Sequence, residues 1–232
     1  MSQHTVKSYD EELARLTNVI ARMGGMAEAQ FASAMQALAK RDSDLAARVA
    51  AGDVRIDELE QEIQQMTIRM LALRQPVAGD LRQIVAALKT SSELERVGDY
   101  AANVAKRSLV LDQLPAVKPV SAVLHLARIV QEILKDVLDA YIEGDVDKAK
   151  QVWNRDEEVD DMYTGLFREL LTYMIEDPRT ITACSHLMFM AKNIERIGDH
   201  ATNIAEILHF AVTGATIQGE RPKGPSVEAP EP

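Results

Sequence analysis

One phrase is written twice in this chain, and the repetition narrows what it can fold into. Residues 95–105 read ERVGDYAANVA and residues 195–206 read ERIGDHATNIAE, one hundred positions later. Each copy spaces a Glu and an Asp by four, as Glu95/Asp99 and Glu195/Asp199, and sets an Asn four further on, Asn103 and Asn203. On a helix such residues are neighbours, with Cβ atoms ~6 Å apart, and two like charges there weaken the helix. A duplicated cost of this kind predicts something that offsets it, and a cation is the leading candidate.

The surrounding pattern is helical throughout. A first helix is predicted to open at Ser8, with Glu11 completing a capping box, and carries an apolar stripe of Leu13, Leu16, Ile20, Met23, Ala27, Phe31, Ala34 and Leu38. A second covers about 43–73, with Val49, Ile56, Ile63 and Met70 at intervals of seven. Pro76 marks a turn, and a third helix runs from about 77 to 112. Pro115 and Pro119 bracket a linker between halves. The second half repeats the plan. A fourth helix stops near Gly144, and a fifth starts at about Asp145 with Val152, Val159 and Leu166 spaced by seven. A sixth starts at Pro178 and ends near Thr213. The chain is 47% hydrophobic but only 4% aromatic, a balance that favours helix-on-helix packing over sheets.

The predicted fold is therefore all-α: two tandem three-helix bundles of six long antiparallel helices, related by a pseudo-twofold internal repeat. The bundles are expected over residues 8–114 and 118–213, with a disordered Gly- and Pro-rich tail over 214–232. A formal charge of −10 argues against a nucleic-acid partner, since phosphate backbones call for clustered Lys and Arg. The single cysteine, Cys184, reads as an inert core thiol in a reducing compartment. The N-terminal residues lack the apolar core of a signal peptide, and no apolar run approaches a membrane span. A soluble, cytoplasmic protein is the expectation.

At ~100° per residue, Glu95 and Asp99 each fall about 20° from the direction of Leu88, on either side of it. The stripe of Leu81, Ile84 and Leu88 thus runs into a pair of carboxylates, as Ile181 and Met188 run into Glu195 and Asp199. Acids on a helix's inner stripe are rare unless paired or metal-bound. A second pair stands one helix earlier in each half: Asp53/Asp57 and Asp156/Asp160, flanking their apolar heptads. If neighbouring helices pack antiparallel, each half collects four carboxylates. An all-oxygen set of this kind suits Mg²⁺, Mn²⁺ or iron rather than a thiolate zinc site. Surface salt bridging, with Arg96 or Arg196 as partner, is the alternative, and for the flanking Asp pairs the two readings stand level. Gly98 and Gly198 leave room either for close helix packing or for an ion. His200 points about 100° away from Asp199 and reads as a surface or packing residue rather than a ligand. Glu206-x-x-His209 has the spacing of di-iron carboxylate bundles, which need two such motifs where this chain has one. No phosphate-binding Gly-rich loop and no Ser/His/Asp set is evident.

Taken together, Glu95-Arg-Val-Gly-Asp99, Glu195-Arg-Ile-Gly-Asp199, the Asp-x-x-x-Asp copies before them and PVAGDLRQI at 76–84 resemble the PhoU family of bacterial phosphate-uptake regulators, over about residues 8–213. The resemblance implies paired three-helix bundles that bind multinuclear metal clusters of iron, manganese or magnesium, often as homodimers. It places Asp53, Asp57, Glu95, Asp99, Asp156, Asp160, Glu195 and Asp199 as metal ligands, with Asn103 and Asn203 as neutral oxygen ligands or their supports. It also implies a negative regulator of the phosphate-starvation response, linking the ATPase subunit of the phosphate ABC transporter to a membrane sensor histidine kinase. Membrane association would come only through those partners, and no catalysis is implied. Competing readings are a di-metal carboxylate enzyme, a metal-storage protein and a purely structural helical adaptor.

Overall fold

The repeat shapes the chain at the level of caps. Asp42 and Asp145 occupy equivalent places, and each carboxylate accepts a hydrogen bond from the backbone N–H three residues on, Leu45 and Lys148, both at 2.9 Å. Each therefore satisfies one orphan donor of a helix start, worth ~1 kcal/mol. The computed structural model describes residues 2–52, 54–74, 76–219, 221, 222 and 224, and the side chains of 2–10 and 74 are outside the description. Among the described residues every regular element is helical. These are α1 (Ser2–Lys40), α2 (Ser43–Ala51), α3 (Val54–Arg74), α4 (Ala78–Leu111), α5 (Val120–Glu143), α6 (Val146–Asn154), α7 (Asp156–Glu176), a 3₁₀ turn (Pro178–Thr180) and α8 (Ile181–Thr213).

The six long helices are α1, α3, α4, α5, α7 and α8. In the first half α1, α3 and α4 pack on one another, and in the second α5, α7 and α8 do the same. The halves meet chiefly along α4 and α8. These two run antiparallel, because partners on α8 fall in number as those on α4 rise: Arg82 with Ala211, Glu93 with His200, Tyr100 with Arg196, Arg107 with Phe189. A second seam joins α1 to α5, where a Cβ at Gly24 would stand 2.5 Å from a methyl of Leu138. The core is hydrophobic, mostly aliphatic, and continuous across both halves, with Met23, Phe31, Ile84, Leu94, Val130, Leu134, Ile194 and Ile204 all fully buried.

Three departures from the sequence reading have local causes. The predicted second helix is two, α2 and α3, broken at Gly52, whose N–H closes a tight turn onto the Val49 carbonyl. The predicted fifth is likewise α6 and α7, broken at Arg155, whose N–H bonds the Val152 carbonyl. The first helix does not begin at Ser8 but continues back to Ser2.

Where α5 ends on Gly144 in the left-handed region (φ 67), the corresponding residue after α1 is Arg41 (φ 52). A non-glycine there costs of order 1 kcal/mol, and its side chain supplies an offset. One Arg41 Nη donates to the carbonyls of Leu111, Asp112 and Leu114 at 3.0, 2.9 and 2.7 Å, placing a cation at the C-terminal end of α4 and on the turn that follows it. Arg41→Ala keeps the strained backbone and removes this clasp. It is expected to lower stability by about 2 kcal/mol, read as a shifted urea midpoint with unchanged slope.

Candidate metal centre

Glu95/Asp99 and Glu195/Asp199 each bracket a glycine at which each half's third long helix meets the helix before it. A Cβ at Gly98 would stand 2.9 Å from Ile56 Cδ1, and one at Gly198 3.3 Å from Val159 Cγ1. The two glycines thus let α3 close on α4 and α7 close on α8, bringing Asp57, and Asp156 with Asp160, towards the Glu/Asp pairs. The helix breaks change what those Asp residues are. Asp156 is the first residue of α7, and at 3% exposure it is buried rather than flanking the stripe. Asp57 lies in the first turn of α3. Asp53, at the corresponding break in the first half, lies outside the described residues.

In the first cluster Glu95 and Asp99 are half-buried, and Arg96 on the same helix lies 3.4 Å from Glu95 and 3.3 Å from Asp99. Arg96 is itself 56% exposed and only partly offsets the repulsion. Burial, with the charges of Asp99, Glu60 and Asp57 added, pushes the Glu95 carboxyl up to about 7. Asn103 is half-buried one turn beyond Asp99, in register with Asn203.

The second cluster is built differently. Lys192 Nζ donates to Glu195 Oε1 at 2.8 Å, while the other oxygen of Glu195 is buried without a hydrogen-bond partner. Burial raises the Glu195 carboxyl, with Asp199 and Asp160 adding to the rise and Lys192 opposing it. Asp160 is raised as well, first by burial and then by Asp156 and Asp199. Between Asp156 and Asp199 lies the guanidinium of Arg221, from the segment after α8. The described part of the expected disordered tail is therefore not a passive extension: Ile217 packs on the core, and Arg221 enters the cluster.

Glu93 completes the arrangement from the opposite half. Its Oε2 accepts from Asn203 Nδ2 at 2.9 Å and lies 2.6 Å from His200 Nδ1. Burial raises this carboxyl, but the hydrogen bonds from His200 and Asn203, with the charges of His200 and Arg221, more than offset it and hold it below the usual range. With its amide nitrogen turned to Glu93, Asn203 presents its oxygen to the cluster. His200 is thus a packing and pairing residue, stacked on Tyr100 at 5.5 Å. Glu206 and His209 diverge, Glu206 to the Trp153 indole and His209 to the Ala215 carbonyl.

Among the described residues no three Asp, Glu, His or Cys side chains converge closely enough to hold an ion in this conformation. The chemistry of the donors nonetheless fits a hard cation: Glu95, Glu195 and Asp160 raised by burial and by neighbouring acids, an amide oxygen aimed inward, and an orphaned buried oxygen on Glu195. Sequence reasoning missed Glu93, Lys192, Glu60 and Arg221. A position-by-position comparison of the halves carries the signal for three of them, since Glu93, Glu60 and Lys192 face Asn193, Tyr163 and Ser92 in the other copy.

The PhoU domain family model matches this chain twice, over residues 20–108 and 123–208, and each match contains one copy of the doubled phrase. The chain belongs to the PhoU family. A relative from Caulobacter vibrioides, described as a phosphate-specific transport system accessory protein PhoU homolog, is 56% identical over 224 residues, covering 96% of this chain and 97% of its own. The crystal structure of PhoU from Pseudomonas aeruginosa superposes with a TM-score of 0.87 at 38% identity, covering 89% of this chain and 100% of that one. That of the phosphate transport system regulatory protein PhoU from Streptococcus pneumoniae gives 0.84 at 27% identity over 90% and 99%. As in the sequence expectation, the PhoU fold is helical throughout, with six long helices. No described helix is long and apolar enough to cross a membrane.

Proposed function

We propose that this chain is a metal-binding accessory regulator of phosphate uptake, cytoplasmic and homodimeric, that links the phosphate ABC transporter to a sensor histidine kinase and restrains the starvation response. The observation that carries the reading is the full-length similarity to relatives described as phosphate transport accessory proteins. The acidic clusters support its metal-binding part. Asp57, Glu95 and Asp99 with Asn103, and Asp156, Asp160, Glu195 and Asp199 with Asn203, are the proposed oxygen donors, joined by Asp53 from sequence position. A bound cation would neutralise the carboxylates and leave coordination positions for a partner's oxygen ligands. The chain's own part is to hold the acids in register through the glycine-mediated approach of α3 to α4 and of α7 to α8. A regulatory adaptor needs no catalytic base. Storage or di-metal oxidase chemistry gains no support from Glu206 and His209, which point apart.

Elemental analysis of purified protein beside a Glu95→Gln/Asp99→Asn/Glu195→Gln/Asp199→Asn variant tests the reading. Stoichiometric metal in the parent, absent from the folded variant and accompanied by weaker retention of the transporter ATPase subunit, is expected. A parent that contains no metal and refuses added Mg²⁺, Mn²⁺ and iron would overturn the metal part. A variant that holds the ATPase as well as the parent would detach docking from the clusters.

A further inference from the structure

The two acidic clusters descend from the same phrase but are not equally open. In the first, the neighbouring cation is Arg96, a surface side chain of the same helix. In the second, Arg221 arrives from beyond α8 and binds as a ligand would. Its Nε and Nη2 donate to the two oxygens of Asp156, both at 2.6 Å, in a bidentate fork. Nη2 also donates to Asp199 Oδ1 at 2.8 Å, and Nη1 donates to Asn203 Oδ1 at 3.2 Å. Three residues later the Gly224 N–H donates to Asp160 Oδ2 at 3.1 Å. A side chain there would collide, since a Cβ on Gly224 would stand 2.6 Å from Asp160 Cβ.

The receiving side is organised for this guest. Asp156 is 4% exposed in its side chain and is oriented by a hydrogen bond from Thr202 Oγ1 at 3.1 Å. Glu93 turns the Asn203 oxygen inward. A planar guanidinium matched to a carboxylate by two parallel hydrogen bonds is the strong form of this pairing. Upstream the segment is anchored, with Ile217 against the core and Gly219 beside Trp153, where a Cβ would stand 3.9 Å from the indole Cη2.

We propose that the second acidic cluster is a guanidinium-binding site filled in cis by Arg221, so that a divalent cation reaches these carboxylates only by displacing the C-terminal segment. Asp156, Asp199 and Asn203, whose oxygens grip Arg221, are among the donors an ion would need, so guanidinium and ion compete for them. The metal half of this statement rests on the metal reading above; the guanidinium half does not. The first half of the chain then offers the accessible cation site and the second a guarded one. A foreign arginine-bearing segment has the same chemistry as the tail and competes for the same place.

Trp153 is the chain's one tryptophan and reports the segment directly. In full-length protein with the first cluster silenced by Glu95→Gln/Asp99→Asn, Arg221 is compared with Arg221→Gln by Mg²⁺ and methylguanidinium calorimetry and by Trp153 emission. Expected are at least tenfold tighter Mg²⁺ binding by Arg221→Gln, and an emission change in the Arg221 protein that tracks Mg²⁺ saturation. Methylguanidinium is expected to bind Arg221→Gln and not its parent. If neither protein binds Mg²⁺ but methylguanidinium still distinguishes them, the guanidinium site stands and the metal reading falls. If both proteins bind Mg²⁺ alike, with the same emission and no methylguanidinium binding, the proposal is overturned.

Discussion

At pH 7.5, metal-free protein carrying Glu95→Gln is expected to be more stable than the parent by about 2 kcal/mol, after allowance for solvent screening, a shift on the order of 5 °C in Tm. The cause is the carboxyl pushed up to about 7 by burial and by Asp99, Glu60 and Asp57. In the unfolded chain this group ionises near its ordinary value of 4.5. Between 4.5 and 7 the folded state therefore holds a proton that the unfolded state has released, and stability falls as pH rises through that window. Below it the group costs nothing, and above it the full cost is present. Thermal melts of chelator-treated protein from pH 4.5 to 8 should show the parent declining relative to Glu95→Gln and the two converging at the acid end. Parallel curves would mean that the first cluster carries no net repulsion.

Phe31→Ala is expected to cost about 3–5 kcal/mol, a large part of the 5–15 kcal/mol typical of a folded protein. Phe31 is fully buried on α1, the helix that packs on α2, α3 and α4 and, across the boundary between halves, on α5. Long helices held on several sides collapse poorly around a deleted ring, so the cavity persists. Phe189→Ala is the matched control: that ring is 57% exposed under the Arg107 guanidinium at 4.2 Å, and its loss should cost under about 1 kcal/mol. Denaturant titration separates the two. A small effect at Phe31 would show that α1 is loosely packed and that the halves are held by α4 and α8 alone.

What was legible in the sequence followed from periodicity. The heptads of Val49, Ile56 and Ile63 and of Val152, Val159 and Leu166 place the inner faces correctly, and the doubled phrase locates α4 and α8. Periodicity does not register the breaks after Ala51 and Asn154, because one residue bonding back three positions ends a helix without disturbing the apolar spacing. That matters for the site, since the break makes Asp156 a buried helix start rather than a flanking acid. The α1 start is missed for the opposite reason: a capping box marks a place where a helix begins well, not where it must. Arg221 was beyond reach because its segment has the Gly and Pro content of an unstructured tail, and nothing local announces that a guanidinium reaches back across 65 residues to Asp156. The asymmetry between halves was present in the letters, at Glu60/Tyr163, Ser92/Lys192 and Glu93/Asn193, but only contact gives those differences meaning.

The antiparallel packing of α4 on α8 also has a consequence in time. About a hundred residues separate the end of α4 at Leu111 from the end of α8 at Thr213. At typical synthesis rates of about 5–20 residues per second, a ribosome needs roughly 5–20 s to deliver them. Through that interval the strip of α4 that α8 will occupy has no cover from α8. Arg221 emerges later still. The first half therefore leaves the ribosome as an unfinished surface, and its completion is timed by translation of the second.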